Sequence, residues 1–416
     1  MVSVALMRIL FLAHRLPYPP DKGERIRAFY ELKYLAARHE VDLVCLADSK
    51  SDAEGRRALQ DMCREVHVEV LSKPVRLLRA ASSGIFGRPM SLGFFYSPDL
   101  LSRTIELLGR HPYDLIFVYC SSMEQFVPSP APAPIVVDFV DADSAKWQQY
   151  ARMCRGPRSW FFRREARAVA KLERALARRA ALSLVTTPHD AKELIRSAGC
   201  ESRVEVLRNG VHIPEDPAAI EDMIPRELKP YVVFVGTMDY RPNADAAEHF
   251  AKDIFGRLRD RYPDLHFLIV GRNPNSRVRR LQSIPGVKVT GAVPNVYPYF
   301  RQAEATVAPF RISQGFHNKM IESLAVGTPV IAASRAAAGI GLSPEQGLYV
   351  ANSPEEFVEA LDVLLSSSSL RQQVRQSAAS LRRTLSWDVR LQRLGDLLAN
   401  VGSAPIEGGT LQQRGC

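Results

Sequence analysis

The chain has no run of about eighteen uncharged apolar residues, so no segment is expected to cross a bilayer as a helix. Its first apolar stretch, Val2 to Ala13, is broken by Arg8 and runs into His14-Arg15-Leu16-Pro17 without an Ala-x-Ala cleavage site. It reads as a core strand rather than a secretion signal, with Met1 to Leu6 a start-site extension ahead of Met7-Arg8-Ile9-Leu10-Phe11. Cysteine is sparse. Cys45, Cys63, Cys120, Cys154, Cys200 and Cys416 show no Cys-x-x-Cys spacing, which disfavours a zinc site or a disulfide framework and suits ordinary thiols in a reducing compartment. No Gly-x-Gly-x-x-Gly follows the first strand, which argues against a dinucleotide-dependent oxidoreductase. No repeat of fixed period is present.

What remains is a globular composition, 46% apolar and 24% charged, over 416 residues. That length exceeds one ordinary core and suggests two domains of roughly 200 residues. The formal charge of +10 is unevenly spread: residues 152 to 179 hold ten Arg and Lys against Glu165 and Glu173.

Short β-rich runs alternate with helical stretches, the pattern of parallel sheets wrapped by helices in an α/β protein. Strands are expected near Arg8–Ala13, Val41–Leu46, Val66–Leu71, Asp114–Val118, Ile135–Val140, Leu182–Thr186 and Val204–Leu207. The pattern restarts at Tyr231–Val235, then Leu265–Val270, Val287–Thr290, Ala305–Ala308 and Val330–Ala333. The proline-rich stretch from Ile213 through Pro225 to Pro230 reads as a linker. Domains are therefore expected at 1–212 and 226–385, with a helix at about 386–402 packing back on the first. Ser366 to Ser369 reads as a loop and helix cap before Leu370, and the last ~15 residues, with Gly408-Gly409, as a frayed end.

The segment richest in chemistry runs from Pro309-Phe310-Arg311-Ile312-Ser313-Gln314-Gly315-Phe316-His317-Asn318-Lys319 to Glu322 and Pro329. It leaves a strand, passes a glycine-containing loop and enters a helix ending at Gly327. Ligands of open α/β sheets sit at such strand ends, where a helix N-terminus offers free amides and about half a positive charge to a phosphate. Lys319 and Glu322 share one helix face. They suit phosphate neutralisation and acceptance of ribose hydroxyls, or equally a plain surface ion pair.

This segment resembles the retaining glycosyltransferases of family 4 (group 1), whose hallmark is a Glu-x7-Glu motif. The resemblance implies the GT-B fold: two Rossmann-like domains with parallel sheets facing across a cleft. Glu322 matches the second glutamate, implied to bind the donor ribose. Gly315 and Phe316, with His317 and Asn318 beside them, match the loop that meets sugar and phosphates. Gln314 stands at the first glutamate; an amide both donates and accepts to sugar hydroxyls. Phe234 to Ala246 is similar to the family's first C-domain strand and turn, with Gly236 near the diphosphate. Thr237 and Asn243 stand near the usual Arg and Lys, so Arg241, Arg272 or Lys319 is expected to supply charge. Leu207-Arg208-Asn209-Gly210-Val211 is similar to the family's junction turn, and Val289-Thr290-Gly291-Ala292-Val293 to its base-contacting strand end. Pro19 to Arg27 is similar to its mobile glycine loop, with Gly23 at the closest approach and Lys22 or Arg25 meeting phosphate or acceptor.

Asp138 and Asp141, at the end of the strand Ile135–Val140, are expected to orient acceptor or donor sugar. Asp141-Ala142-Asp143 has a metal-clamping form, but in the implied fold helix ends and basic side chains do that work, and Asp143 or Ser144 equally suits a helix N-cap. No metal and no cofactor are expected beyond a nucleotide-diphosphate sugar donor. The catalytic set is thus Asp138, Asp141, Lys319 and Gln314.

The basic stretch 152–179, with Trp160-Phe161-Phe162 at its start, reads as a long helix. It suits an anionic membrane surface, or a solvated helix whose Val169, Leu172 and Leu176 pack inward. No nucleic-acid motif accompanies it. The expectation is a cytoplasmic enzyme, peripheral on the inner membrane face, acting on a polysaccharide or lipid-linked saccharide. The wording of these blocks is similar to a subgroup associated with PEP-CTERM/exosortase exopolysaccharide clusters. A catalytically silent sugar-nucleotide binder and a GT-B sugar-nucleotide epimerase are the rival readings.

Overall fold

A strand buried on both faces must be apolar throughout, and Leu115-Ile116-Phe117-Val118-Tyr119 or Tyr231-Val232-Val233-Phe234-Val235 satisfies that without interruption. In the computed structural model, which describes residues 6–21, 23–198, 203–212, 220–312 and 315–402, thirteen strands build two parallel sheets around such central ones. Residues 1–5 of the expected extension, Lys22, residues 213–219 of the linker, Gln314 and the expected frayed end from 403 onward lie outside the described residues.

The first sheet comprises β1 (Arg8–Ala13), β2 (Glu40–Ala47), β3 (Glu65–Val70), β4 (Leu115–Tyr119), β5 (Ile135–Val140), β6 (Leu182–Val185) and β7 (Val204–Val206). Its order is β3-β2-β1-β4-β5-β6-β7. The second comprises β8 (Tyr231–Val235), β9 (His266–Val270), β10 (Val287–Gly291), β11 (Ala305–Ala308), β12 (Val330–Ala332) and β13 (Leu348–Val350), ordered β10-β9-β8-β11-β12-β13. Both orders run outward from a first central strand, then jump back to its other side. That reversal leaves two neighbouring strands whose following segments turn to opposite faces, the place where open α/β sheets bind ligands. β13 had no counterpart in the expected strands. It is a three-residue edge strand, too short to carry a period.

Contacts divide the chain into two units. One comprises residues 1–138, 175–183 and 391–416; the other comprises 139–174 and 184–390. In the first, Phe11 stacks on Phe117 at 4.9 Å in the sheet core. In the second, Phe250, Phe255 and Phe267 gather with Ile269, Met320, Ile321 and Leu324. Ser367, inside the expected serine tract, caps the helix Ser368–Leu385, its hydroxyl accepting from the Leu370 amide at 3.3 Å.

The ends of β8 and β9 meet backbone to backbone. Gly271 has φ +148, and a Cβ built there would lie 1.7 Å from the Gly236 carbonyl oxygen. Only glycine fits both the dihedral and the space. Gly271→Ala should therefore cost about 3 kcal/mol or more, seen as a lowered urea midpoint; an unchanged midpoint would show that the strand ends relax freely.

Candidate functional site

Within the second sheet the switch lies between β8 and β11, and the pairing there is cut short. Only Val232 and Val233 face Ala305 and Thr306, whereas β8 pairs with β9 along its full length, to Val235. Beyond that point β8 continues to Gly236 and Thr237 and β11 to Pro309 and Phe310, and Phe310 lies edge-on to Phe234 at 5.7 Å. Strand ends β9 and β10 bring Arg272 and Gly291 to the same edge, with the Gly271 amide donating to the Gly291 carbonyl at 3.0 Å. Gly291 has φ +73. Val293 is half-buried against the smaller apolar cluster of Tyr231, Val233 and Phe300.

The loop after β11 returns through Gly315, at φ +71, into the helix Asn318–Ala325. Phe316 packs on the main core. His317 stacks on Phe310 at 4.3 Å and 15°, and burial pushes its imidazole down to about 4, so it is neutral at pH 7. Asn318 accepts from the Asn209 amide at 2.8 Å, tying the helix start to the turn after β7. At the next residue, the Lys319 ammonium lies 2.8 Å from an oxygen of Glu322, one turn on. The lysine is 41% exposed and the glutamate only 10%, so the carboxylate is held from the buried side and the cation reaches solvent.

A Cβ on Gly315 would overlap the Asp141 carboxylate, 2.2 Å from its oxygen, so the loop backbone lies directly on that side chain. Asp141 sits in a tight turn that follows β5. Its amide donates to the Phe139 carbonyl at 2.8 Å, and Val140 takes φ +64, an unusual setting for a β-branched residue. Thr186 donates to Asp141 at 3.1 Å. Burial first, then the nearby carboxylates of Asp190 and Asp143, push the Asp141 carboxyl up to about 7. Around it, Asp143 pairs with Lys146, and burial pushes Glu173 up to about 7.

Neither Asp143 nor Ser144 caps the helix Asp143–Arg152; Ala142 holds the cap position without a side-chain bond. The orphan amides are met from elsewhere. Glu173 accepts from the Ser144 amide at 3.1 Å and its hydroxyl at 2.5 Å, and Asp190 accepts from the Ala142 amide at 3.1 Å. Thr187 and Asp190 form a capping pair at the helix Pro188–Ala198, the Asp190 amide donating to the Thr187 hydroxyl at 3.1 Å. The pattern Thr187-x-x-Asp190 is a legible capping signature that points to both.

The remaining expected residues are placed as follows. Asp138 is fully enclosed within β5 and held by Arg27 Nε at 2.5 Å, with Glu31 3.0 Å from the same guanidinium. Gly23 opens the helix Gly23–Ala36; both belong to the first unit, the loop residues and Asp141 to the second. Arg25, one of the two candidates for phosphate or acceptor, is buried and paired with Asp52 at 2.7 Å. Arg241 is exposed, with its guanidinium over the Tyr150 ring at 5.6 Å and 3.8 Å from Cys154 Sγ. Asn243 folds back onto the Thr237 carbonyl at 3.0 Å, against Gly236. Arg311 is spent on a two-pronged pair with Asp245. No cluster of His, Cys, Asp and Glu suited to a metal occurs among the described residues.

Two sheets, one with a frayed switch beside a helix N-terminus, a buried carboxylate and a lysine, define a doubly wound α/β architecture. Residues 25–210 match the glycosyl transferase 4-like domain, and residues 229–367 match the glycosyl transferases group 1 family. The chain belongs to the GT-B glycosyltransferases. No curated protein sequence matches it. Among solved structures it is similar to the Anabaena protein HepE in complex with UDP (TM-score 0.64, 15% identity, 95% of this chain and 100% of that one). Sucrose-phosphate synthase from Thermosynechococcus elongatus is similar too, with TM-score 0.66 and 16% identity over 95% of this chain and 99% of its own. So is WaaG, a glycosyltransferase of lipopolysaccharide biosynthesis, at TM-score 0.62 and 16% identity over 95% and 100%.

The raised Asp141 carboxyl makes a pH prediction. Unfolded, it ionises near its ordinary value of about 4; folded, it keeps its proton to about 7. The folded state binds the extra proton, so this group lowers stability as pH rises from about 4 to about 7, and the loss persists above. Asp141→Asn, uncharged throughout, should gain melting temperature relative to the parent at pH 8 and lose that gain towards pH 4. Parallel melting curves across that range would sink the assignment.

Proposed function

We propose that the chain transfers a glycosyl group from a nucleoside-diphosphate sugar to a polysaccharide or lipid-linked saccharide, with retention at the anomeric carbon, in exopolysaccharide biosynthesis. The observation that carries this reading is the buried Glu322 paired with a solvent-reaching Lys319 at the N-terminal end of the helix that follows the frayed switch. The UDP and UDP-glucose complexes of Anabaena HepE support a nucleotide-sugar donor.

In this reading the diphosphate lies at the amides of Gly315 to Asn318, where the helix dipole and Lys319 offset its charge as the leaving group departs. Glu322 accepts from the ribose hydroxyls, Gly291 and Val293 meet the base, and Gly236, Thr237, Arg241 and Arg272 border the phosphates. Neutral His317 donates or accepts without adding charge. Asp141 sits against the loop backbone at Gly315, where a protonated carboxyl can donate to a sugar oxygen near neutral pH. Asp138, locked to Arg27, then acts by fixing the end of β5, and Gln314 hydrogen-bonds the sugar. No metal is required. The basic stretch 152–179 faces an anionic membrane by charge, with Trp160 63% exposed.

Glu322→Ala should raise the donor KM by about ten- to a hundredfold, the loss of hydrogen bonds to a charged acceptor. Lys319→Ala should lower kcat/KM by about a hundredfold or more with the fold intact. Both are read by release of nucleoside diphosphate from a panel of UDP- and GDP-sugars. Full activity in the two variants would refute the site.

A further inference from the structure

The helix Lys73–Ile85 is turned inside out for a protein in water. Its buried residues are Arg76 and Ala80, while Leu77, Leu78 and Ile85 are 53%, 73% and 82% exposed. At 100° per residue, Pro74, Leu78, Ala81 and Ile85 fall on the face opposite Arg76. The orientation is fixed from within. Arg76 donates to the Leu71 and Ala47 carbonyls at 3.1 and 2.7 Å, pairs with Asp48 at 2.7 Å and lies over Phe94 and Phe95. On the same side Arg79 donates to the Tyr96 carbonyl at 2.6 Å, and the helix crosses Met90–Phe94 so closely that a Cβ on Gly93 would lie 2.2 Å from the Arg79 carbonyl oxygen. The leucines cannot roll inward without breaking that set.

The helix ends in an apolar tip. Phe86 is 79% exposed, and Gly87 at φ +75 turns the chain sharply into Arg88. Exposed Lys73 and Arg88 flank the apolar face at its two ends. From Leu71 to Pro98 the sequence carries four Arg and Lys and no Asp or Glu. A protein partner of ordinary mixed charge does not demand that exclusion of acids; an anionic sheet does. At thirteen residues the helix is far short of a span, and no helix among the described residues is long and apolar enough to cross a membrane.

We infer that residues 73–88 lie in the headgroup boundary of an anionic bilayer, with Leu77, Leu78, Ile85 and Phe86 immersed and Lys73 and Arg88 on the lipid phosphates. The surface is distinct from the charged stretch 152–179. It supplies apolar insertion rather than attraction alone, and it stands whether or not the donor-site reading holds.

The test is sedimentation of the full chain with vesicles of phosphatidylcholine alone or mixed with phosphatidylglycerol, with light scattering in the absence of lipid. The parent should bind the mixed vesicles and leave the neutral ones largely free. Leu78→Ser/Ile85→Ser/Phe86→Ser should weaken that binding at least ~tenfold, and Lys73→Glu/Arg88→Glu should weaken it too, both with unchanged melting temperature because the side chains are exposed. The proposal is overturned if the parent ignores mixed vesicles or binds neutral ones as well, or if the apolar variant binds like the parent. It also falls if light scattering shows a parent dimer that the apolar variant dissociates, since the face would then be a contact between copies.

Discussion

The second unit depends on where β8 stops pairing with β11. Parallel strands joined by crossovers must be laid down to one side of the first strand and then to the other, and the return leaves the central pair with diverging continuations. Here the divergence begins after Val233, and Gly236, Gly271 and Gly315 supply backbone where side chains would obstruct. The Gly236 carbonyl pressed on Gly271 locks the β8 and β9 ends as one rim, while the β11 continuation is free to carry a loop and a helix N-terminus.

Charge in this region is arranged so that little of it stands alone. Lys319 is matched by Glu322, Arg311 by Asp245, Lys146 by Asp143. Asp141 departs from that pattern. It is surrounded by carboxylates and buried under a loop, and the low-dielectric setting favours its protonated form. A neutral acid beside a strained Val140 and a left-handed Gly315 is a site shaped by its surroundings rather than by its own residue type.

Most of the sheet architecture was legible in the sequence. The central strands such as Leu115–Tyr119 and Tyr231–Val235 announce themselves as uninterrupted apolar runs because both faces are buried, and the outer Glu65–Val70 and Val287–Gly291 as valine-rich alternations. Leu348–Val350 escaped because three residues at a sheet edge carry no period. The loop-helix site was readable as a strand, a glycine and a Lys-x-x-Glu pair. Partnerships made across long separations were not: Glu173 serves as the cap of Ser144 from 29 residues away, and Arg25 pairs with Asp52. Nor does the pattern of residues 73–85 reveal which face turns inward. An amphipathic stripe fixes that one side is apolar; the grip on Arg76 decides that it faces out.

The trio beneath β5 carries a thermodynamic signature of its own. One guanidinium, Arg27, is shared by two enclosed carboxyls, and burial drives Glu31 well above the ordinary glutamate range. Over the interval between the ordinary glutamate range and the raised one, the unfolded carboxyl is ionised while the folded one keeps its proton, so assembly of the first unit takes up protons there. Its heat of unfolding in that interval consequently carries the ionisation enthalpy of whatever buffer accepts those protons, and changes between buffers of different ionisation enthalpy even where the melting temperature does not.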